Sequence, residues 1–153
     1  MIAREIMEQN VITVTEETTI EEVARILIDH GISGVPVVDG ENRLKGIISD
    51  GDLIYKDKKI HIPAAIQILD SIIFVESLKK FQEELRKITA YKVKDMMTRE
   101  VISVEVDTPI EEIATLMIEK RINRVPVLED GKLVGIITRQ NILKSMIGNK
   151  GEM

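Results

Sequence analysis

Apolar and polar positions change period along the chain, and they do so twice in the same order. Val11 to Val14 and Val101 to Val104 are short β-branched runs with one hydroxyl each, a pattern that predicts strands. Each is followed by apolar residues at three- and four-residue spacing: Ile20, Val23, Ala24, Leu27 and Ile28, then Ile110, Ile113, Ala114, Met117 and Ile118. That spacing predicts an amphipathic helix with one buried stripe. Thr18 with Glu21, and Thr108 with Glu111, have the spacing of capping boxes, and Pro109 suits a first helical position. Gly31 suits a left-handed stop for the first helix, and Asn123 lies near the end of the second. Apolar runs on either side of Asp39-Gly40-Glu41-Asn42 and of Glu129-Asp130-Gly131 predict antiparallel hairpins, and a last helix is predicted to begin at Ser49 or Thr138.

The duplication extends to residue types, at a spacing of about ninety residues. Thr18-Thr19-Ile20-Glu21-Glu22-Val23-Ala24 returns as Thr108-Pro109-Ile110-Glu111-Glu112-Ile113-Ala114, and Ile32-Ser33-Gly34-Val35-Pro36-Val37-Val38 as Ile122-Asn123-Arg124-Val125-Pro126-Val127-Leu128. Leu44-Lys45-Gly46-Ile47-Ile48-Ser49 returns as Leu133-Val134-Gly135-Ile136-Ile137-Thr138, one residue having been lost from the turn. The predicted fold is therefore α/β of the α+β kind: two tandem β-α-β-β-α repeats over residues 1–56 and 93–148, a helical insertion over 57–92, and a disordered tail over 149–153. One such repeat buries little surface alone, so the two are expected to pack with pseudo-two-fold symmetry and leave clefts between them, where ligands favour binding.

Composition narrows the possibilities. With 44% hydrophobic and 31% charged residues, 3% aromatic and no Trp, the core must be aliphatic. The absence of Cys removes disulfides, thiolate nucleophiles and Cys-held zinc. A formal net charge of -5 argues against general nucleic-acid binding. The first residues contain no signal-peptide core, and the longest apolar cluster, Ile72-Ile73-Phe74-Val75, is too short to span a bilayer. The expectation is a soluble cytoplasmic protein without a membrane partner.

The order strand, capped helix, apolar segment with Val-Pro-Val, hairpin and Gly-Ile-Ile-[Ser/Thr]-x-x-[Asp/Asn], present twice, resembles the cystathionine β-synthase (CBS) domain, and the two copies resemble the CBS pair or Bateman module. The resemblance covers roughly two thirds of the chain. It implies a sensor that binds an adenosine-type regulatory ligand (AMP, ADP, ATP or S-adenosylmethionine) between the repeats. It also implies a homodimer, a separate and unidentified regulated protein, and no required cofactor.

A ribose presents two vicinal hydroxyls, which a carboxylate can accept together. By matching position in the motif, the resemblance implies that Asp52 takes the ribose and that Ser49 lies near the phosphate. Ser-x-x-Asp is equally a helix cap, so both readings stand. In the second copy Thr138-Arg139-Gln140-Asn141 has Asn141 in place of the carboxylate, which puts that site in doubt. The resemblance implies that each cleft mixes repeats: Ile47, Ser49 and Asp52 facing Ser103, Val125 and Pro126, and Ile136, Thr138 and Asn141 facing Thr13, Ser33, Gly34 and Val35. Val35, Ile47, Val125 and Ile136 also fit as plain core residues. Arg124, whose counterpart is Gly34, is a candidate for a bidentate phosphate contact, against the alternative of a solvated surface group.

The middle segment, from about Tyr55 to Lys92, holds the four aromatics Tyr55, Phe74, Phe81 and Tyr91. Pro63 is a candidate helix start, Ala64 to Val75 is apolar, and Leu78, Phe81, Leu85 and Ile88 mark one face after a Ser77 cap. Such a segment would pack on the pair and widen a homodimer contact. The alternative function is a protein-interaction or assembly module that acts through this insertion with vestigial ligand sites. Lys56, Lys58, Lys59 and His61 could approach a phosphate or form a solvated face. Two histidines, His30 and His61, with no metal-binding spacing, and no nucleophile elbow or P-loop, leave no motif for catalysis or a metal, so the expectation is a non-enzyme.

Overall fold

The computed structural model describes residues 1–54 and 91–151. The expectations placed on Tyr55, Lys56, Lys58, Lys59, His61 and the helices of the insertion lie outside them. The chain divides into two compact units, each drawing on both repeats. The first is Thr13–Asp39 with Lys45–Arg99; the second is Met1–Ile12, Gly40–Leu44 and Glu100–Met153.

In the first unit, helix α2 (Ile20–His30) leads to strands β1 (Gly34–Val38) and β2 (Leu44–Ser49), which pair as a two-stranded sheet, and then to the short helix α3 (Asp50–Ile54). Helix α4 (Val93–Met96) comes from the start of the second repeat. In the second unit, helix α1 (Ala3–Ile6) comes from the chain's start and joins strand β3 (Val104–Glu105), helix α5 (Ile110–Glu119), strands β4 (Arg124–Glu129) and β5 (Lys132–Thr138), and helix α6 (Arg139–Gly151). The sheet order is β3-β4-β5, parallel then antiparallel. Asp130 and Gly131 both have positive φ, as the two-residue turn of the β4-β5 hairpin requires. Helix α6 continues through Gly151, past residue 148 where the repeat was expected to end.

The leader helices dock in matching ways. Val93 and Lys94 donate backbone hydrogen bonds to Thr18 and Glu16 at 2.8 and 3.0 Å, while Ala3 and Arg4 donate to Thr108 and Val106, both at 2.9 Å. Val93 and Ala3 are fully buried beneath these contacts. The core of the second unit is Ala3, Val104, Ile113, Met117, Val125, Val127 and Ile137. In the first unit the equivalent Val14, Val23, Leu27, Val35, Val37, Ile48 and Val93 are buried. Each such side chain contributes on the order of 1.5–3 kcal/mol.

Four local expectations are corrected. The strands expected at Val11 to Val14 and Val101 to Val104 shrink to a single bridge, Val14 to Val37, and to Val104–Glu105. Val14 donates to the carbonyl of Pro36 at 3.1 Å and accepts from Val38 at 2.9 Å. The next parallel bond back would need an N–H on Pro36, which proline lacks, so the ladder stops there. Pro126 stands at the same register beside Val104. The helix caps also move by one residue: Thr19, not Thr18, accepts from the N–H of Glu22, and Pro109 is the cap residue rather than the first helical one. Thr18 and Thr108 instead accept from the N–H groups of Thr15 and Glu105, closing the preceding turns. Ile28 and Ile118 fall off the buried stripe, at 78% and 76% exposure, because the apolar face is narrower than the run of apolar residues. Finally, Gly31 takes the left-handed stop of α2 at φ 61°, but its counterpart after α5 is Arg121 at φ 54°, not Asn123.

Candidate ligand sites at the strand to helix junctions

Strand β2 alternates. Gly46 and Ile48 are buried, while Ile47 and Ser49 share the other, half-buried face. At the junction the hydroxyl of Ser49 accepts from the N–H of Asp52 at 3.3 Å, and Asp52 Oδ2 accepts from the N–H and hydroxyl of Ser49 at 3.0 and 3.3 Å. The capping role of Ser-x-x-Asp is thus realised, and it uses one carboxylate oxygen. The other, Oδ1, accepts from the hydroxyl of Thr98 at 3.0 Å. Thr98 is held there by two backbone bonds exchanged with Ile47, at 2.9 and 2.8 Å. The N–H of Asp50 donates to the carbonyl of Ser33 at 2.9 Å, which draws the exposed Ser33 to the same junction.

The second unit repeats the geometry. Thr138 and Asn141 cap each other, the N–H and hydroxyl of Thr138 donating to Asn141 Oδ1 at 2.8 and 2.9 Å. Asn141 is 7% exposed, and its amide Nδ2 donates to Glu8 Oε1 at 3.0 Å. Glu8 in turn exchanges backbone bonds with Ile136, at 2.9 and 3.1 Å. Arg124 lies opposite Thr138 across the β4-β5 ladder, and Pro126 opposite Ile136, so these four share one face. Val125 is on the other face and belongs to the core, as Val35 does at 1% exposure. Their side chains are packed in the core.

The units sort the sequence-named residues by repeat. Thr13, Ser33, Gly34, Val35, Ile47, Ser49 and Asp52 are in the first, and Ser103, Arg124, Val125, Pro126, Ile136, Thr138 and Asn141 in the second. Two residues at the junctions were missed, Thr98 and Glu8. They occupy equivalent places in Met96-Met97-Thr98 and Ile6-Met7-Glu8, a block of the duplication upstream of the first strands. Extending the self-comparison toward the leaders would have exposed them.

Elsewhere, Lys92 and Lys94 reach Glu17 at 2.6 and 3.1 Å, and their hydrogen bonds and charge hold its carboxyl below the ordinary range. Glu17 in return raises Lys92. A shallow hollow of about 400 Å³ on α5 is lined by Glu111, Glu112, Thr115 and Leu116, none of them a residue named for ligand binding. Among the described residues there is no group of three or more His, Cys, Asp or Glu able to hold a metal, and no helix long and apolar enough to cross a membrane.

Comparison with known proteins agrees with this architecture. The chain matches the CBS domain family over residues 3–59 and 93–148 and belongs to it, as a CBS pair. It is 31% identical to protein MJ1426 of Methanocaldococcus jannaschii over 96% of this chain and 92% of that one. It is also similar to CBSX2 of Arabidopsis thaliana, a chloroplastic CBS-domain protein of which it spans 62%. A crystal structure of CBSX2 in complex with AMP superimposes with a TM-score of 0.72 at 28% identity, covering 97% of this chain and 98% of that one. The CBS pair of protein MJ0100 in complex with 5′-methylthioadenosine and S-adenosyl-L-methionine gives 0.68 at 27% identity, with the same coverages.

Proposed function

We propose that this protein is a regulatory module that binds an adenosine-type ligand at the junction of Ser49 and Asp52 and conveys its occupancy to a separate protein. The observation that carries the proposal is Asp52 itself, a half-buried carboxylate oriented by Ser49 and Thr98 beside the half-buried Ile47 face. An ionised carboxylate at this place is the group suited to accept from ribose hydroxyls, and an apolar strand face suits a purine. The other residues named from the resemblance, Thr13, Ser33, Gly34, Val35, Ser103, Val125, Pro126, Ile136, Thr138 and Asn141, are kept as candidate ligand contacts, with Arg124 taking phosphate. That relatives are structurally known with AMP and with S-adenosyl-L-methionine supports the ligand class. On this proposal the chain performs no chemistry of its own and needs no cofactor. It acts as a homodimer, and a second copy would give the exposed Ile28 and Ile118 cover.

Thermal-shift and calorimetric titration with AMP, ADP, ATP, NAD and S-adenosylmethionine tests the proposal. Ligand at a hundredfold its Kd stabilises the native state by about 2.7 kcal/mol. Asp52→Asn is the discriminating variant. Asn141 shows that asparagine makes the same cap, so the substitution removes the charge while sparing the fold. Ligand affinity should fall about tenfold with little change in melting temperature. Undiminished binding by Asp52→Asn would displace the site from this junction. No binding by the wild type would dismiss the sensor reading, and capture of a partner that depends on residues 57–92 would then point to assembly.

A further inference from the structure

The two junctions differ by an exchange of chemical groups on a constant backbone. At the first, the helix-side residue carries the carboxylate and the leader residue a neutral donor: Asp52 Oδ1 accepts from Thr98 at 3.0 Å. At the second, the roles are reversed at the same separation: Asn141 Nδ2 donates to Glu8 Oε1 at 3.0 Å. Thr98 and Glu8 are each fixed by a reciprocal backbone pair, with Ile47 and Ile136 respectively. Each junction therefore keeps one carboxylate, paired with one neutral partner, although the motif alone reads as if the second had lost it.

The geometry points to Glu8 as the ligand-binding carboxylate of the second junction, taking the vicinal hydroxyls of a ribose in place of Asp52's missing counterpart. This rests on the ligand reading proposed above. Asn141 has its oxygen committed to the Thr138 cap and its amide to Glu8, so it serves as a positioning residue. It holds Oε1 of an exposed glutamate, and the proposal gives the second oxygen, Oε2, to the ligand. Charge-assisted acceptance is about twice as strong as the neutral kind, which is why the carboxylate rather than the amide is the grip. Glu8 stands on a longer side chain than Asp52 and pays more rotamer entropy on binding, so the second site is the weaker of two nucleoside sites, not an empty one.

The test is isothermal titration of the full chain with AMP and, separately, S-adenosylmethionine, on the wild type, Asp52→Asn, Glu8→Gln, and the exchange variant Glu8→Thr with Asn141→Asp. Glutamine can still accept from Asn141, so Glu8→Gln preserves the pair while removing the charge. The expected result is two sites in the wild type, with Asp52→Asn weakening the tighter and Glu8→Gln weakening the other by about tenfold. The exchange variant, which installs the first junction's groups at the second, should bring the weaker site toward the affinity of the tighter. A single wild-type site abolished by Asp52→Asn would overturn the role of Glu8 and leave the sensor reading intact. Two sites both indifferent to Glu8→Gln would also overturn it. No binding of either probe to any variant would overturn the role together with the sensor reading.

Discussion

At the junctions of leader and strand the two repeats hold the same backbone bonds with different side chains. In both, a leader helix docks through paired N–H donors, and a residue two places beyond it exchanges bonds with the strand's Ile47 or Ile136. Around that constant frame, Thr98 and Glu8, Asp52 and Asn141, Gly31 and Arg121 have been varied. The lesson is that duplication preserves what the backbone demands and frees the side chains to divide a task. Equivalent substitutions in the two copies measure how far that division goes.

The largest effect is expected at the close approach of leader and strand. A Cβ on Gly46 would lie 2.6 Å from the backbone carbonyl oxygen of Thr98 and from Met97 Cε. The carbonyl belongs to the Ile47 bridge and cannot yield alone, so Gly46→Ala should cost about 1–3 kcal/mol. At Gly135 the two nearest atoms are Sδ and Cγ of Met7, which a χ rotation can move, leaving Met7 Cβ at 3.0 Å to give slightly, so Gly135→Ala should cost less. Chemical denaturation of the two variants checks the ranking. Equal losses would mean that the leaders are not held with the difference described.

The helix stops give the next effect. Gly31 sits at φ 61° without strain, whereas Arg121 holds φ 54° with a Cβ. Gly31→Ala should lose about 1 kcal/mol, and Arg121→Gly should gain about half that or more, since relief of strain outweighs the added freedom of the unfolded chain. Melting curves that move in the same direction for both would refute the comparison.

A comparable effect, about 1 kcal/mol, is expected for Asn141→Asp, because it sets a second carboxylate against Glu8 and removes the amide donor between them. Adding Glu8→Thr should restore most of the loss, since the pair then copies Asp52 with Thr98. A double-mutant cycle by urea denaturation reads the coupling directly, and a coupling of zero would show that the pair is incidental.

Much of this was legible beforehand, and the failures have physical causes. The order of elements, the Gly31 stop and the motif junctions follow from periodicity and from residues whose backbone preferences are narrow. The first strands were overdrawn because β-branched runs report side-chain preference, while the ladder is limited by an N–H that Pro36 and Pro126 lack. The caps slipped by one because Thr18 and Thr108 had two backbone donors within reach, and propensity does not say which wins. Glu8 and Thr98 escaped notice because their significance is a pairing across more than forty residues of chain in one case and more than a hundred in the other, which no local pattern records.

The smallest effect separates the repeats by pH. Glu17 is gripped by Lys92 and Lys94, whereas at the equivalent places in the other leader stand Ile2 and Arg4, and Arg4 pairs with Glu129. The lysines lower the Glu17 carboxyl below its ordinary value of 4.5 in the folded protein. A depressed folded value means the unfolded chain binds the proton more readily, so the contribution is present above about pH 4.5 and is lost as pH falls through the lower folded value. The group is fully exposed, so the contribution is small and fades with added salt. Carboxyl titration by NMR at low ionic strength should find Glu17 below the ordinary range, and Lys92→Met, which removes the closer of its two lysine partners, should return it most of the way. A Glu17 titration that Lys92→Met leaves in place would break the last asymmetry between the leaders and assign the shift to some other neighbour.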